Sequence, residues 1–504
     1  MARWSNLPPW VKSIILAYLD TSIPPNSPKF PSQSRRSELG LYASVSREWQ
    51  LFFEDRLYGH LVLTQHCLVY FDRLVPRQRQ LVRYIWLRIL LGNYSCSKCP
   101  GPKSLAVRPS DLMAVSESIT DLFCILNSWG TSPGSELALE ISAYSLCDVT
   151  HAVKGDEYLS SDLAQMQDMF FSKRLLPDDL LHGWKDGQLI QSHDADDFYD
   201  IRSVVGYVLP PLYFISSAAY VVTHLIIRRT TRRFIAVLAI RWILERLPNL
   251  HHFIYEPWRP LSQPSHRFTD IKHEKLIFKF LPKTLKNFHW FEDFNEETIR
   301  VCREDGPLDD LWRIMIDQYA SSSSLARKSL SFEQLTGCYS VDAVPFFRVV
   351  DFSWVWPNLT TLSLTCSLFA IPQKRESIVA LLGRIGMTAQ RMPQLQTLDI
   401  WYGMRHHAAA FRHRVTDSLI TISWRGTWDL RLEAQKDGTI ATAWQTLARL
   451  HGNRTLYIAT YRPVKIKDVT SHAAAIRLLE IGQNVIHPAS LEEISRETGY
   501  DFST

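Results

Sequence analysis

Five groups of residues in this 504-residue chain have types and spacings that could do chemistry. Cys96-Ser-Lys-Cys99 carries two thiols at the spacing of half a zinc site. A structural zinc needs four ligands, and no second C-x-x-C or H-x-x-x-H stands nearby. Gly130-Thr-Ser132-Pro133-Gly134 fits the G-x-S-x-G pattern of a nucleophile elbow. There the residue after the serine gives its N–H to an oxyanion, and Pro133 has none, so the segment reads as a turn. His406, His407 and His413 have no carboxylate among them, and neighbouring residues do not share a helix face. They read as exposed or packed polar residues. Asp194, Asp196 and Asp197 suggest a calcium loop, but Phe198 and Tyr199 occupy the places of its fifth-position oxygen ligand and sixth-position glycine. No Gly-rich phosphate loop accompanies them. These four groups assign no catalytic residue, no metal and no cofactor.

The fifth group is Arg228, Arg229, Arg232 and Arg233, directly after an apolar strand-like run. Guanidinium pairs suit phosphate or an acidic peptide. They equally suit an internal partner, and the acidic stretch at 194–200 is the obvious one. Aromatic residues add a second kind of candidate. Trp258, Trp401 and Tyr402 lie at or just after strand-like runs, where exposed rings make good binding anchors. Tyr255 and Trp290 fall in the phase of a core. The tentative target-binding set is therefore Arg228, Arg229, Trp258, Trp401 and Tyr402.

A repeat must position these residues. Pro248-Asn-Leu250…Phe253-Ile-Tyr255, Pro357-Asn-Leu359…Leu362-Ser-Leu364 and Pro393-Gln-Leu395…Leu398-Asp-Ile400 share one L-x-x-Φ-x-Φ frame, with Φ apolar. Leu285…Phe288-His-Trp290 and Val222…Leu225-Ile-Ile227 fit it, and Arg327…Leu330-Ser-Phe332 fits in part. The two Φ positions are two apart, so they share one face of a strand. Leu81…Ile85-Trp-Leu87 and Leu137-Ala-Leu139-Glu-Ile141 extend the series upstream. Between the strands, Phe234–Leu247 and Glu376–Met392 carry apolar residues at helical spacing. Strands alternating with helices in this way predict a leucine-rich-repeat-like α/β solenoid, with steps longer and less regular than usual.

Four further segments frame that array. Residues 1–60 predict a helical unit. Val11, Ile14, Ile15, Tyr18 and Leu19 recur at helical spacing, 21–37 read as a loop, and a second helix carries Leu41, Val45, Trp49, Phe52 and Phe53. Residues 61–134 read as a helical connector with a first degenerate repeat. Within the solenoid at 135–420, residues 151–200 hold eleven acidic and four basic side chains and read as a solvated insertion. Residues 421–504 read as a cap or a small α/β domain.

Leu7-Pro8, Ile14-Ile15-Leu16, Leu19, Val45-Ser46-Arg47-Glu48-Trp49 and Leu57 resemble an F-box. With the repeats, the chain resembles fungal F-box proteins carrying a degenerate leucine-rich-repeat array. The resemblance implies an adaptor of an SCF-type ubiquitin ligase. It implies that Leu7, Pro8, Ile14, Ile15, Leu19, Val45 and Trp49 dock on a Skp1-like protein, and that the repeats present an unknown protein target. The residues alone also admit a repeat scaffold with no ligase link, whose first 60 residues only cap the array.

Composition limits the remaining classes. An apolar fraction of 46% and a charged fraction of 21% are those of a globular protein. A net charge of +5 over this length does not suit a dedicated nucleic-acid binder. The most apolar runs, Tyr213–Ile227 and Phe234–Leu244, are shorter than a spanning helix or broken by charge. The start of the chain lacks a signal-peptide pattern. The expectation is a non-enzymatic protein of the cytoplasm or nucleus, with no membrane partner.

Overall fold

The computed structural model describes residues 4–20, 33–93, 109–130, 136–145, 184–185, 188–189, 216–231, 235–259, 270–294, 319–432, 438–452 and 454–497. The Cys96–Cys99 pair, the acidic run 194–200, Ser132–Gly134, Arg232 and Arg233 lie outside them.

Three helices open the chain: α1 (Pro9–Leu19), α2 (Gln33–Ala43) and α3 (Arg47–Gly59). Pro9 suits the first turn of α1, where its missing N–H costs nothing. Ser46 caps α3 by accepting from the Trp49 N–H at 3.4 Å. The expected single second helix is therefore two, broken at Ser44–Ser46, and α2 begins inside the segment read as a loop. The three helices enclose a small core of Leu16, Leu39 and Phe53, separate from the main one.

α3 runs directly into a sheet of thirteen strands that does not close. They are β1 (His60–Leu63), β2 (Tyr84–Leu90), β3 (Leu137–Tyr144), β4 (Val222–Ile227), β5 (His252–Tyr255), β6 (Asn287–Phe291), β7 (Gln334–Asp342), β8 (Thr361–Thr365), β9 (Thr397–Met404), β10 (His407–Val415), β11 (Leu419–Gly426), β12 (Thr455–Ile458) and β13 (Arg462–Pro463). Their order in the sheet follows their order in the chain up to β12, and β13 also pairs with β11. Pairing is parallel from β1 to β9. β9, β10 and β11 form an antiparallel meander, and β12 is again parallel. The class is mixed α/β.

The repeat frame explains the register. Phe253 pairs with Phe288, Phe288 with Leu335, Leu335 with Leu362 and Leu362 with Leu398. All are buried on one face with the second frame positions Tyr255, Trp290, Leu364 and Ile400. One unit departs from expectation. Arg327–Leu330 is helical, and its strand begins later, at Gln334. The boundary drawn at 420 falls inside β11, which pairs with β10, so the sheet continues through it.

Helices α4 (Pro109–Ser128), α5 (Val237–Leu244), α6 (Tyr319–Lys328), α7 (Arg375–Ala389) and α8 (Thr439–Leu450) supply apolar residues to the main core. The register also lines up Glu140, Ile226, Ile254, His289, Thr336, Ser363, Asp399 and Arg412 across β3 to β10, on the opposite face. That face is covered by the end of the chain, through α9 (His472–Leu478) and α10 (Pro488–Glu497). Parallel strands carry apolar side chains on both faces and need both covered. The approach is close at Gly403, where a Cβ would stand 2.6 Å from the Ala475 methyl and 3.0 Å from the Trp401 ring. Gly403→Ala is therefore expected to lower stability by about 1–3 kcal/mol, measured as a shift in the urea midpoint.

Candidate functional site

Two assemblies of side chains stand out. The first is a surface on the helical unit. Trp10, Ile14 and Tyr18 stand four residues apart on α1, so they form one stripe. They are 67%, 59% and 76% exposed. Leu41, Val45 and Leu51 are also more than half exposed. Single exposed apolar residues are ordinary, but six in one small helical unit are not.

The residues expected to dock a Skp1-like protein divide unevenly. Ile14, Val45 and Pro8 are exposed; Leu7 and Ile15 are half-buried. Leu19 and Trp49 instead pack against the unit's own core. The Trp49 ring lies 5.3 Å from that of Trp4 and 5.8 Å from that of Phe53, and the Trp4 indole N–H donates to Glu48 at 2.8 Å. Trp49 thus holds the helices together and is not a free anchor. Trp10, Tyr18, Leu41 and Leu51 were not among the expected docking residues. The four-residue spacing of Trp10, Ile14 and Tyr18 was the available signal.

The second assembly is a buried charge network just past the C-terminal ends of β4 to β6, reaching Glu140 inside β3. Arg228 and Arg229 are only 6% and 3% exposed. Arg228 pairs with Glu140 at 2.7 Å, and Arg229 pairs with Asp293. Both also reach Glu493 of α10, at 3.4 and 3.5 Å. Arg259 pairs with Glu292 at 3.2 Å, and His472 Nε2 lies 3.2 Å from Asp293. Burial works to raise the Asp293 carboxyl, but Arg229 and His472 outweigh it and hold it at about 2. Glu493 goes the other way. Burial raises it to about 7 against the pull of both arginines.

This geometry corrects the tentative target-binding set. Arg228 and Arg229 are not at the surface, because sheet carboxylates and Glu493 enclose them. Trp258 is half-buried; its indole N–H donates to the Arg229 carbonyl at 2.8 Å, and the Arg229 guanidinium lies over its ring. Trp401 is fully buried and Tyr402 nearly so. Trp401 faces the layer made by the chain end, and its indole N–H points at the Cys338 sulfur. Tyr255 and Trp290 are core, as their phase required.

The histidines read as packed or polar residues separate cleanly. His406 and His407 stand at the β9–β10 turn, His406 with positive φ. His413 is fully buried against Trp444, and neither ring nitrogen meets a hydrogen-bond partner among the described residues. Burial, then Arg414, pulls its pKa from 6.5 to about 3. Native His413 resists the proton that the unfolded chain accepts. Its contribution is therefore complete above pH 6.5 and is lost as pH falls towards 3. Moving from pH 7.5 to 5 is expected to cost about 2 kcal/mol at this residue. Unfolding titrations should show that loss, and His413→Leu should remove its share, leaving that of His224 and His487, which burial also lowers to about 4.

Among the described residues, no group of three or more His, Cys, Asp or Glu side chains is placed to hold a metal ion. No helix among them is long and apolar enough to cross a membrane.

The fold defines a mixed α/β protein with a long open sheet, led by a separate helical unit. Residues 280–487 match a family of unknown function, DUF6546. The match begins just before β6 and ends one residue before α10, leaving out the helical unit and the first five strands. No curated protein matches the chain.

Proposed function

We propose that this protein is a substrate-recognition adaptor of an SCF-type ubiquitin ligase, resident in the cytoplasm or nucleus. Residues 1–60 act as an F-box that docks on a Skp1-like protein. The sheet and its helices act as a leucine-rich-repeat-like solenoid that carries the target. The adaptor performs no bond chemistry. It raises the local concentration of the target beside the ligase.

The observation that carries this reading is the exposed stripe Trp10–Ile14–Tyr18 with Val45, on a unit whose apolar core, among the described residues, is Leu16, Leu39 and Phe53. A cap that served the sheet alone would turn these residues inward. Each such side chain contributes roughly 1.5–3 kcal/mol when a partner covers it. Ion pairs hold the unit to the body, Glu54 with Arg77 and Asp55 with Arg83, and α3 continues into β1. That joint gives the docked partner and the target a defined separation.

The test is co-purification of the full chain with a Skp1-like protein, beside variants of the exposed stripe. Retention by the parent chain that the stripe variants lose supports the adaptor. A folded parent that never retains such a protein overturns it and leaves a repeat scaffold with no ligase link.

A further inference from the structure

The face covered by the chain end carries a second arginine cluster, near the last strands. Arg412 and Arg414 stand on β10, Arg425 on β11 and Arg462 on β13. Arg425 pairs directly with Arg462 and with Ala410, which is two residues from Arg412, so all four share one face. Arg414 has its own anion: its guanidinium donates to both oxygens of the buried Asp399, at 2.7 and 2.9 Å. The other three converge on one. Glu480, just past the end of α9, meets Arg425 at 2.7 Å. It stands 3.6 Å from Arg412 and 3.9 Å from Arg462, beyond hydrogen-bonding distance.

With the Arg414–Asp399 pair set aside, three guanidiniums face one carboxylate, an excess of two positive charges. The Arg228 and Arg229 network is different, because sheet carboxylates match those arginines one for one. Like charges directly opposite one another on a sheet repel, and Arg425 and Arg462 are so placed. Burial and then the charge of Arg414 lower the Arg412 pKa, and Asp399 and Glu480 do not restore it. The Nε atoms of Arg412 and Arg425 are buried, yet neither has a hydrogen-bond partner among the described residues. The cluster is nevertheless open to solutes, since the Arg462 and Glu480 side chains are 72% and 53% exposed.

A phosphate monoester carries about 1.5–2 negative charges near neutral pH and three acceptor oxygens. It matches both the excess charge and the number of guanidiniums, whereas a single carboxylate leaves one positive charge unmatched. We propose that Arg412, Arg425 and Arg462 form a phosphate-monoester site, with Glu480 weakening it from one side. The site does not rest on the adaptor reading; the assignment of the phosphate to a phosphorylated side chain of the target does.

Calorimetric titration of the full-length chain with inorganic phosphate, at pH 7.5 and constant ionic strength, tests the site. The parent should bind with a Kd of about 1 mM. Arg462→Gln changes a mostly exposed position that folding tolerates, and should weaken binding at least about fivefold. Arg412→Gln/Arg462→Gln should abolish it. Glu480→Gln removes a like charge beside the anion and should tighten binding about fivefold. Urea midpoints confirm that each variant is folded. A degenerate phosphoserine peptide mixture distinguishes the sources. Binding at least about tenfold tighter than inorganic phosphate, lost without phosphorylation, assigns the phosphate to a protein segment. Equal affinity assigns it to a small phosphate compound, and either result supports the site. Phosphate that binds no better than chloride, or that binds Arg462→Gln as well as the parent, overturns the proposal. Skp1-like retention should be the same in every variant, because the helical unit joins β1 and these arginines lie on β10, β11 and β13.

Discussion

Ile14→Asp/Tyr18→Asp is expected to abolish retention of a Skp1-like protein while leaving the fold intact. Both side chains are more than half exposed, so neither substitution opens a cavity. Surface changes of this kind usually alter stability by no more than about 0.5 kcal/mol. In a complex the same positions are desolvated. Two lost anchors at roughly 1.5–3 kcal/mol each, plus the cost of burying unpaired carboxylates, imply more than about a hundredfold weaker binding. Trp49→Ala is the informative contrast. Its ring supports Trp4, Tyr42 and Phe53, so it should unfold the helical unit and lose retention by that route. Circular dichroism and a urea titration separate the two. Unchanged retention by a folded Ile14→Asp/Tyr18→Asp chain shows that the stripe is not the docking surface.

The contrast between Ile14 and Trp49 shows what sequence can and cannot read here. Helical spacing placed Val11, Ile14, Ile15, Tyr18 and Leu19 on one apolar side, but a short helix with two candidate faces does not declare which is inward. Packing settles it: Leu16 is buried and Ile14 and Tyr18 are out. The L-x-x-Φ-x-Φ frame was more legible, because a period of two defines a strand face whatever its partner. It located β4, β5, β6, β8 and β9. It failed at Trp401 for a definite reason. An exposed residue next to a buried one is the rule when one face of a sheet meets water, and here both faces are covered. The covering element could not be read locally. Arg228 meets Glu493 across 265 residues of chain, and nothing near either residue announces the other. The arginine cluster was read as needing an anion, and among the described residues Glu140, Asp293 and Glu493 meet Arg228 and Arg229, while the acidic run 194–200 lies outside them.

That network gives the largest stability effect expected in the body of the protein. Asp293→Ala should lower the unfolding free energy by about 3–5 kcal/mol. Asp293 is fully buried, and its removal strands the Arg229 guanidinium, which is 3% exposed, together with His472. Removing one member of a buried pair exacts the full desolvation cost of the other. Part of the loss is offset internally. With one carboxylate gone, Arg229 draws on Glu493, whose pKa then falls from about 7 as it takes up the charge. Asp293→Asn should cost less, since it keeps the shape and one acceptor, and it isolates the charge. In the parent, the Asp293 pKa drops from 3.8 to about 2 on folding. Its contribution is therefore present above pH 3.8 and is lost as pH falls through 2, amounting to about 2–3 kcal/mol. Asp293→Asn should remove that acid-limb slope, while the His413 slope between pH 6.5 and 3 persists. Urea titrations at pH 7.5 with an unchanged m-value measure the first effect, and a pH series measures the second. A loss below about 1 kcal/mol for Asp293→Ala would mean that water reaches Arg229 and that α10 does not seal the site.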